Sequence, residues 1–428
     1  MKKYQEMTKE ELSLEKEALE KQYKEWQGKG LKLDMSRGKP STEQLDLSMP
    51  LLDILDGKSL MKCMNGVETR NYGVLEGISE ARDLMAEIMD CKPDQVIVCG
   101  NASLNIMFDT VARGYMFGFE GCTPWCKLDK VKWLCPVPGY DRHFAITQHF
   151  GFEMINIPMH EDGPDMDMIE DLVSKDDSIK GIWCVPKYSN PQGVVYSDEV
   201  VRRFARLKPA AKDFRIFWDN AYAVHHLYDD DKAQILNILQ ECEDADNQNL
   251  VFEFASTSKI TFAGGGIAAV ACNNYNREEM KKTLTVQTIG YDKVNMIRHA
   301  RYFMDVESVE KHMEKHAALL RPKFELVINA FERDLAPAGI GSWINPKGGY
   351  FITYDAPEGC ATRIVELAKE AGVVLTPAGA PFPYHMDPKD SVIRFAPSLP
   401  PVEELEKAAQ IFTVCARIAA LEKLLLNA

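Results

Sequence analysis

No stretch of this 428-residue chain reaches the run of about 18 apolar residues that a membrane-spanning helix needs. The first residues, Met1-Lys2-Lys3-Tyr4-Gln5-Glu6, lack the apolar core of a secretory signal. No membrane partner is expected. Positive charge is the scarcer sign: 50 Lys and Arg against 64 Asp and Glu leave a net charge of -14. That balance argues against nucleic acid as the main partner, but not against small anionic substrates, which local positive charge can meet. Metal-binding cysteine pairs are missing as well. The 11 cysteines are scattered, and their one cluster, Cys122, Cys126 and Cys135, has no paired Cys-x-x-Cys spacing, so no metal site is expected. An odd cysteine number without a secretory signal predicts a reducing, cytoplasmic setting. Internal repeats and low-complexity tracts are also absent.

What is there is the composition of an ordinary soluble globular protein, 46% hydrophobic and 27% charged, on a chain long enough for two or three lobes. Thr8 and Glu11 form a capping box that opens a helix, with Leu12, Leu14, Leu19 and Tyr23 punctuating a charged run that ends at Gly28. Residues 31–47 read as an extended arm broken by Gly38 and Pro40. Short apolar runs then alternate with amphipathic helices, with strands expected at 95–99, 132–135, 153–157, 181–185, 215–218, 251–254 and 267–272. Apolar runs flanked by helices imply a mostly parallel sheet covered on both faces, hence an α/β fold. A long helix over 306–335 and a mixture of strands and helices to the end predict a smaller α+β lobe. The expected division is 1–50 as N-terminal helix and arm, 51–305 as the large domain and 306–428 as the small one.

In a parallel sheet, ligands bind beyond the carboxyl ends of the strands. Several residues of chemical interest fall there. The strand at 251–254 leads into Ser256-Thr257-Ser258-Lys259, the one at 215–218 into Asp219-Asn220-Ala221-Tyr222, and the one at 181–185 into Ser189-Asn190-Pro191-Gln192-Gly193. A lysine in this order with an acid, an amide and a phenol suits pyridoxal phosphate: the amine holds the aldehyde as a Schiff base and the acid faces the pyridine nitrogen. Asn190 and Tyr222 are suitable donors to the ring oxygen, and Tyr140 to stack on the ring face. Asn101, Ala102 and Ser103 at a helix start, with Ser256 and Ser258, suit a phosphate, although a plain N-cap gives the same pattern at 100–103. Arg394 interrupts an apolar strand, which requires either a substrate carboxylate or an internal ion pair.

Taken together, the chain resembles the class I, fold-type I pyridoxal phosphate aminotransferases from about Leu33 to its last helix. The resemblance is carried by Gly139-Tyr140-Asp141-Arg142-His143-Phe144, Asn190-Pro191-Gln192-Gly193, Asp219-Asn220-Ala221-Tyr222, Ser256-Thr257-Ser258-Lys259, Gly348-Gly349-Tyr350-Phe351 and Ile393-Arg394-Phe395-Ala396, in the family's order and spacing. Ser36-Arg37-Gly38-Lys39-Pro40 and Gln287-Thr288-Ile289-Gly290 look like a bacterial aspartate aminotransferase subgroup, type Ic. The resemblance implies a pyridoxal 5'-phosphate enzyme exchanging amino groups between amino acids and 2-oxo acids, aspartate or glutamate with 2-oxoglutarate or oxaloacetate. It implies that Lys259 holds the cofactor and moves the substrate proton, with Asp219 on the pyridine nitrogen and Asn190 and Tyr222 on the ring oxygen. Tyr140 stacks on the ring, while Asn101, Ala102, Ser103, Ser256 and Ser258 cradle the phosphate. Arg394 clamps the α-carboxylate and Gly38 lines the entrance. Tyr72 reaches the phosphate of a second subunit, so a homodimer with shared active sites is implied.

One departure stands out. The family's phosphate-binding arginine, about eight residues after the lysine, is replaced by the stretch Gly264-Gly265-Gly266-Ile267. Either another basic residue such as Arg298 substitutes, or amides and hydroxyls suffice. Arg37, Lys187 and Arg298 are all candidates for a substrate side-chain carboxylate. The same scaffold also supports lyases and decarboxylases, because loss of the α-proton is shared. A ligand-sensing regulator would need a DNA-binding segment, and no helix-turn-helix pattern precedes the large domain.

Overall fold

A computed structural model describes residues 2–427. The apolar runs assemble into one eight-stranded sheet. Its order is Val96–Val98, Ala268–Ala271, Val251–Ser256, Arg215–Asp219, Ile179–Cys184, Lys132–Val137, Glu153–His160 and Gly163–Pro164. The five strands from Val251–Ser256 to Glu153–His160 run parallel. Ala268–Ala271 is inserted antiparallel between Val251–Ser256 and Val96–Val98, and Gly163–Pro164 closes the far edge antiparallel.

Successive residues of each strand point to opposite faces, so a run buried throughout must feed two cores. Ile216 and Trp218 join Leu134, Ile182 and Val251 under the helices Ser79–Met89, Met166–Lys175, Asp198–Ala205 and Ile238–Asp244. Phe217 joins Trp133, Trp183, Phe252 and Phe254 under Ser103–Phe117, Asp141–His149 and Asn274–Gln287 on the other face. All parallel strands therefore deliver their carboxyl ends to one rim.

A third core belongs to the antiparallel sheet Ser342–Trp343, Ile352–Asp355 and Val392–Phe395 with the helices Lys9–Gln27, Ala361–Glu370 and Val402–Asn427. The long helix Val306–Asp334 serves two cores: Val309 and Met313 pack under the large sheet, whereas Leu320 and the buried apolar residues after it join the small one. The expected helix after Thr8 is present with its capping box. The extended arm is not continuous. Leu33–Asp34 pairs in parallel with Val373–Val374, and Ser41 caps a short helix, Thr42–Asp46, through a second capping box with Gln44. Among the described residues no helix is long and apolar enough to cross a membrane, and no group of three or more His, Cys, Asp or Glu is placed to hold a metal.

Candidate active site

Asp219 is the last residue of its strand, and Lys259 lies three residues beyond the end of the neighbouring one. Asp219 is 3% exposed. Its Oδ2 lies 2.9 Å from His143 Nε2, while Oδ1 is buried with no hydrogen-bond partner. A buried carboxylate oxygen left unpaired costs about 1–3 kcal/mol, so Oδ1 marks a place for an N–H donor. His143 is held on the first turns of Asp141–His149, stacked on Trp183 at 4.6 Å and met edge-on by Tyr140 at 4.9 Å.

Lys259 Nζ lies 4.9 Å from the Tyr222 ring centroid and 5.9 Å from that of Tyr350. Burial pulls its amine below the usual lysine value, and the charge of Asp219 opposes that shift. A lysine with part of its amine neutral is a nucleophile toward a carbonyl carbon. Burial pushes the phenols up: Tyr222 well above its ordinary value and Tyr140 to about 12, with the charge of Asp219 adding to both. Both are neutral donors at physiological pH.

Asn190, Asp141 and Thr376 meet at Arg394. Nη1 donates to Asp141 Oδ1 at 3.0 Å and Asn190 Oδ1 at 3.3 Å, Nε donates to Thr376 Oγ1 at 3.3 Å, and the guanidinium lies over the Phe351 ring at 4.9 Å. The substrate-carboxylate and ion-pair readings of Arg394 thus coexist in one residue. Gly38 is explained by the same stack: a Cβ there would sit 2.1 Å from Phe351 Cζ, so only glycine lets the ring back the arginine.

Helix Ser103–Phe117 begins at Ala102 with no side-chain cap, leaving its first amides free for an anion. Ser258 Oγ donates to the Asn101 carbonyl at 3.2 Å and Ser256 Oγ to Ser258 Oγ at 3.1 Å, which ties the lysine loop to that helix start. Ile267, where a phosphate-binding arginine was sought, is buried in the core. Arg298 comes near instead: Asn295, one helical turn before it, donates to the carbonyls of Gly265 and Gly266 at 3.0 and 2.8 Å, and Arg298 Nε is buried without a partner.

Three expected residues stay outside the cluster. Tyr72 is 82% exposed. Lys187 Nζ is committed to the Ala223 carbonyl at 2.7 Å, and Arg37 lies at the surface 3.8 Å from Asp34. The sequence alone assigns no role to several residues of the cluster, Thr376, Tyr350 and Phe351 among them, nor to His143 and Asp141. The last two lie in the quoted run Gly139 to Phe144, but a histidine on a helix reads as core and an acid in a first turn as a cap.

A sequence model of the aspartate amino-transferase family matches residues 7–427. The aspartate aminotransferase of Corynebacterium glutamicum is 47% identical over 414 residues, 96% of this chain and 95% of that protein. A crystal structure of an aspartate transaminase from the same organism superposes with a TM-score of 0.96 at 46% identity, covering 98% of this chain and 99% of the other. More distantly, the α-aminoadipate aminotransferase of Thermus thermophilus, solved with N-(5'-phosphopyridoxyl)-L-leucine, shares the fold at a TM-score of 0.71 and 18% identity over 92% of this chain and 93% of its own. Matched over nearly its whole length on this fold, the protein is a transaminase. It belongs to the aspartate amino-transferase family.

Proposed function

We propose that the protein binds pyridoxal 5'-phosphate through Lys259 and transfers an amino group between an L-amino acid, aspartate or glutamate, and a 2-oxo acid, oxaloacetate or 2-oxoglutarate, in ping-pong half-reactions. The observation that carries this reading is the unpartnered Oδ1 of Asp219, buried within the cluster that holds Lys259. An acceptor placed there fits a protonated pyridine nitrogen. The phosphopyridoxyl adduct in the distant Thermus enzyme supports the same cofactor on this fold. When bound, the cofactor supplies an electron sink that acidifies the α-proton of the amino acid.

The chain's own residues do the rest. Asp219, oriented by His143, holds the proton on the pyridine nitrogen. Asn190 and Tyr222 donate to the ring oxygen, and Tyr140 covers a ring face. The amides at Asn101, Ala102 and Ser103, with Ser256 and Ser258, hold the phosphate, and Arg298 takes the place of the arginine missing at 267. Lys259, which would hold the cofactor, would also move the α-proton. Arg394 with Asn190 holds the α-carboxylate, beside the opening kept by Gly38. Tyr72 is proposed to complete the phosphate site of a second copy in a homodimer, since its exposed ring reaches nothing in its own site. The three-part division at residues 50 and 305 and a reducing cytoplasmic setting belong to the same reading.

An absorbance spectrum of the purified protein tests it. A cofactor band that bleaches with aspartate and returns with 2-oxoglutarate is expected, and Lys259→Ala should abolish turnover. Ammonia released in place of amino transfer, or no cofactor band after adding pyridoxal phosphate, would refute it.

A further inference from the structure

We propose that Asp141 is a resident competitor for the carboxylate subsite at Arg394, and that it sets how tightly the enzyme holds its substrates. The inference rests on the reading of Arg394 as the carboxylate clamp. Arg394 is 7% exposed. A guanidinium so placed needs an anion whether or not substrate is present. Asp141 supplies one at 3.0 Å.

The bonding of the guanidinium leaves no free fork. A carboxylate gripped at two points needs two adjacent N–H groups. Nε is given to Thr376, Nη1 to Asp141 and Asn190, and among the described residues Nη2 has no acceptor. A substrate carboxylate can take Nη2 at once, but its second contact must displace Thr376 from Nε, or Asp141 or Asn190 from Nη1. Displacing Asp141 also removes the repulsion between two carboxylates on one guanidinium, so that is the favoured exit.

Asp141 has somewhere to go. It is the first residue of the helix Asp141–His149, where a negative charge is favoured by the helix N-terminus, and its side chain is 30% exposed. Arg394, for its part, does not need Asp141 to stay aimed. Thr376 at Nε, Asn190 at Nη1 and the Phe351 ring at 4.9 Å also hold it.

The test compares the wild-type holoenzyme with Asp141→Asn and Asp141→Ala, using succinate as an unreactive dicarboxylate. Calorimetric titration gives its Kd, steady-state kinetics give KM and kcat for aspartate, and a melting curve checks that each variant is folded. The expected result is a fall of roughly three- to tenfold in the succinate Kd and in KM, the scale of one partly exposed ion pair lost. Should one variant fail to fold, the other carries the same reading. An unchanged or raised Kd in a folded variant overturns the proposal, because a residue that merely steers Arg394 would weaken binding when removed. A wild-type enzyme that transaminates normally while the variants bind no tighter sinks this inference alone. A wild type that neither transaminates nor binds succinate sinks the functional reading as well.

Discussion

Glu253 occupies the middle of a central strand, paired laterally with Trp218 and Ala271, and is 2% exposed. Burial pushes its carboxyl up to about 8 from an ordinary 4.5, although Asn220 Nδ2, donating to Oε1 at 2.9 Å, favours the charged form. Between those two values the folded protein holds a proton that the unfolded chain has lost, so stability must fall as pH rises through that window and level off above it. The slope is at most about 1.4 kcal/mol per pH unit. Glu253→Gln keeps an acceptor for Asn220 and removes the proton. Denaturant midpoints of the two proteins should lie closest at acid pH and separate in favour of the variant toward about pH 8. Parallel curves would mean that Glu253 is already ionised in the fold. Sequence could not single out this residue, because an acid inside an apolar strand looks like any polar interruption. Lys259, Asp219, Tyr222 and Asn190 were legible for the opposite reason: each follows an apolar strand that names its rim position. His143 and Asp141 sit on a helix, where position along the chain says nothing about which strand end the side chain will meet.

The helices and strands were mostly legible because turn chemistry brackets them, and misreadings fall where local signals are weakest. Leu12, Leu14, Leu19 and Tyr23 are the apolar residues that punctuate the charged run of the first helix. The structure buries Leu12, Leu19 and Tyr23 of these together with Trp26, a single face at helical spacing, and leaves Leu14 67% exposed. Tyr23 fixes that face by donating its hydroxyl to the Leu367 carbonyl at 2.9 Å. Leu19→Ala should therefore cost about 2–5 kcal/mol in a denaturant titration, whereas Leu14→Ala should stay within about 0.5 kcal/mol. Equal losses would mean that the helix is rotated from the face described. The arm was misread. Thr42–Asp46 is too short to show a helical period, and the pairing of Leu33 with Val373 joins segments far apart in sequence, so neither leaves a local signal.

At the scale of the whole molecule, a net charge of -14 opposes association of copies, yet one face carries exposed apolar side chains. Met116 and Phe117 at the end of Ser103–Phe117 share a groove with Val286, which is 89% exposed. Gly290, which follows Val286 closely in the chain, lies against Gly73, whose carbonyl accepts from Lys293 Nζ at 2.9 Å, so exposed Tyr72 stands beside the segment that follows Val286. Leu60, Met64 and Ile289 are further exposed apolar side chains on the neighbouring segments. An exposed apolar surface of this kind suits an interface, and the proposed second copy, related by a two-fold axis, would cover both faces at once. In the proposed homodimer, where Tyr72 completes the phosphate site of the second copy, assembly and cofactor retention would be linked. Val286→Asp puts a carboxylate into that groove without touching Lys259, Asp219 or Arg394. Sedimentation should find the wild type as a dimer and the variant as a monomer, and the monomer should lose its cofactor faster on dilution. A wild type that sediments as a single chain at working concentration would remove the role of Tyr72. A variant that becomes monomeric yet keeps its cofactor would separate assembly from the site, leaving the phosphate to the helix start, the serines and Arg298 of its own chain.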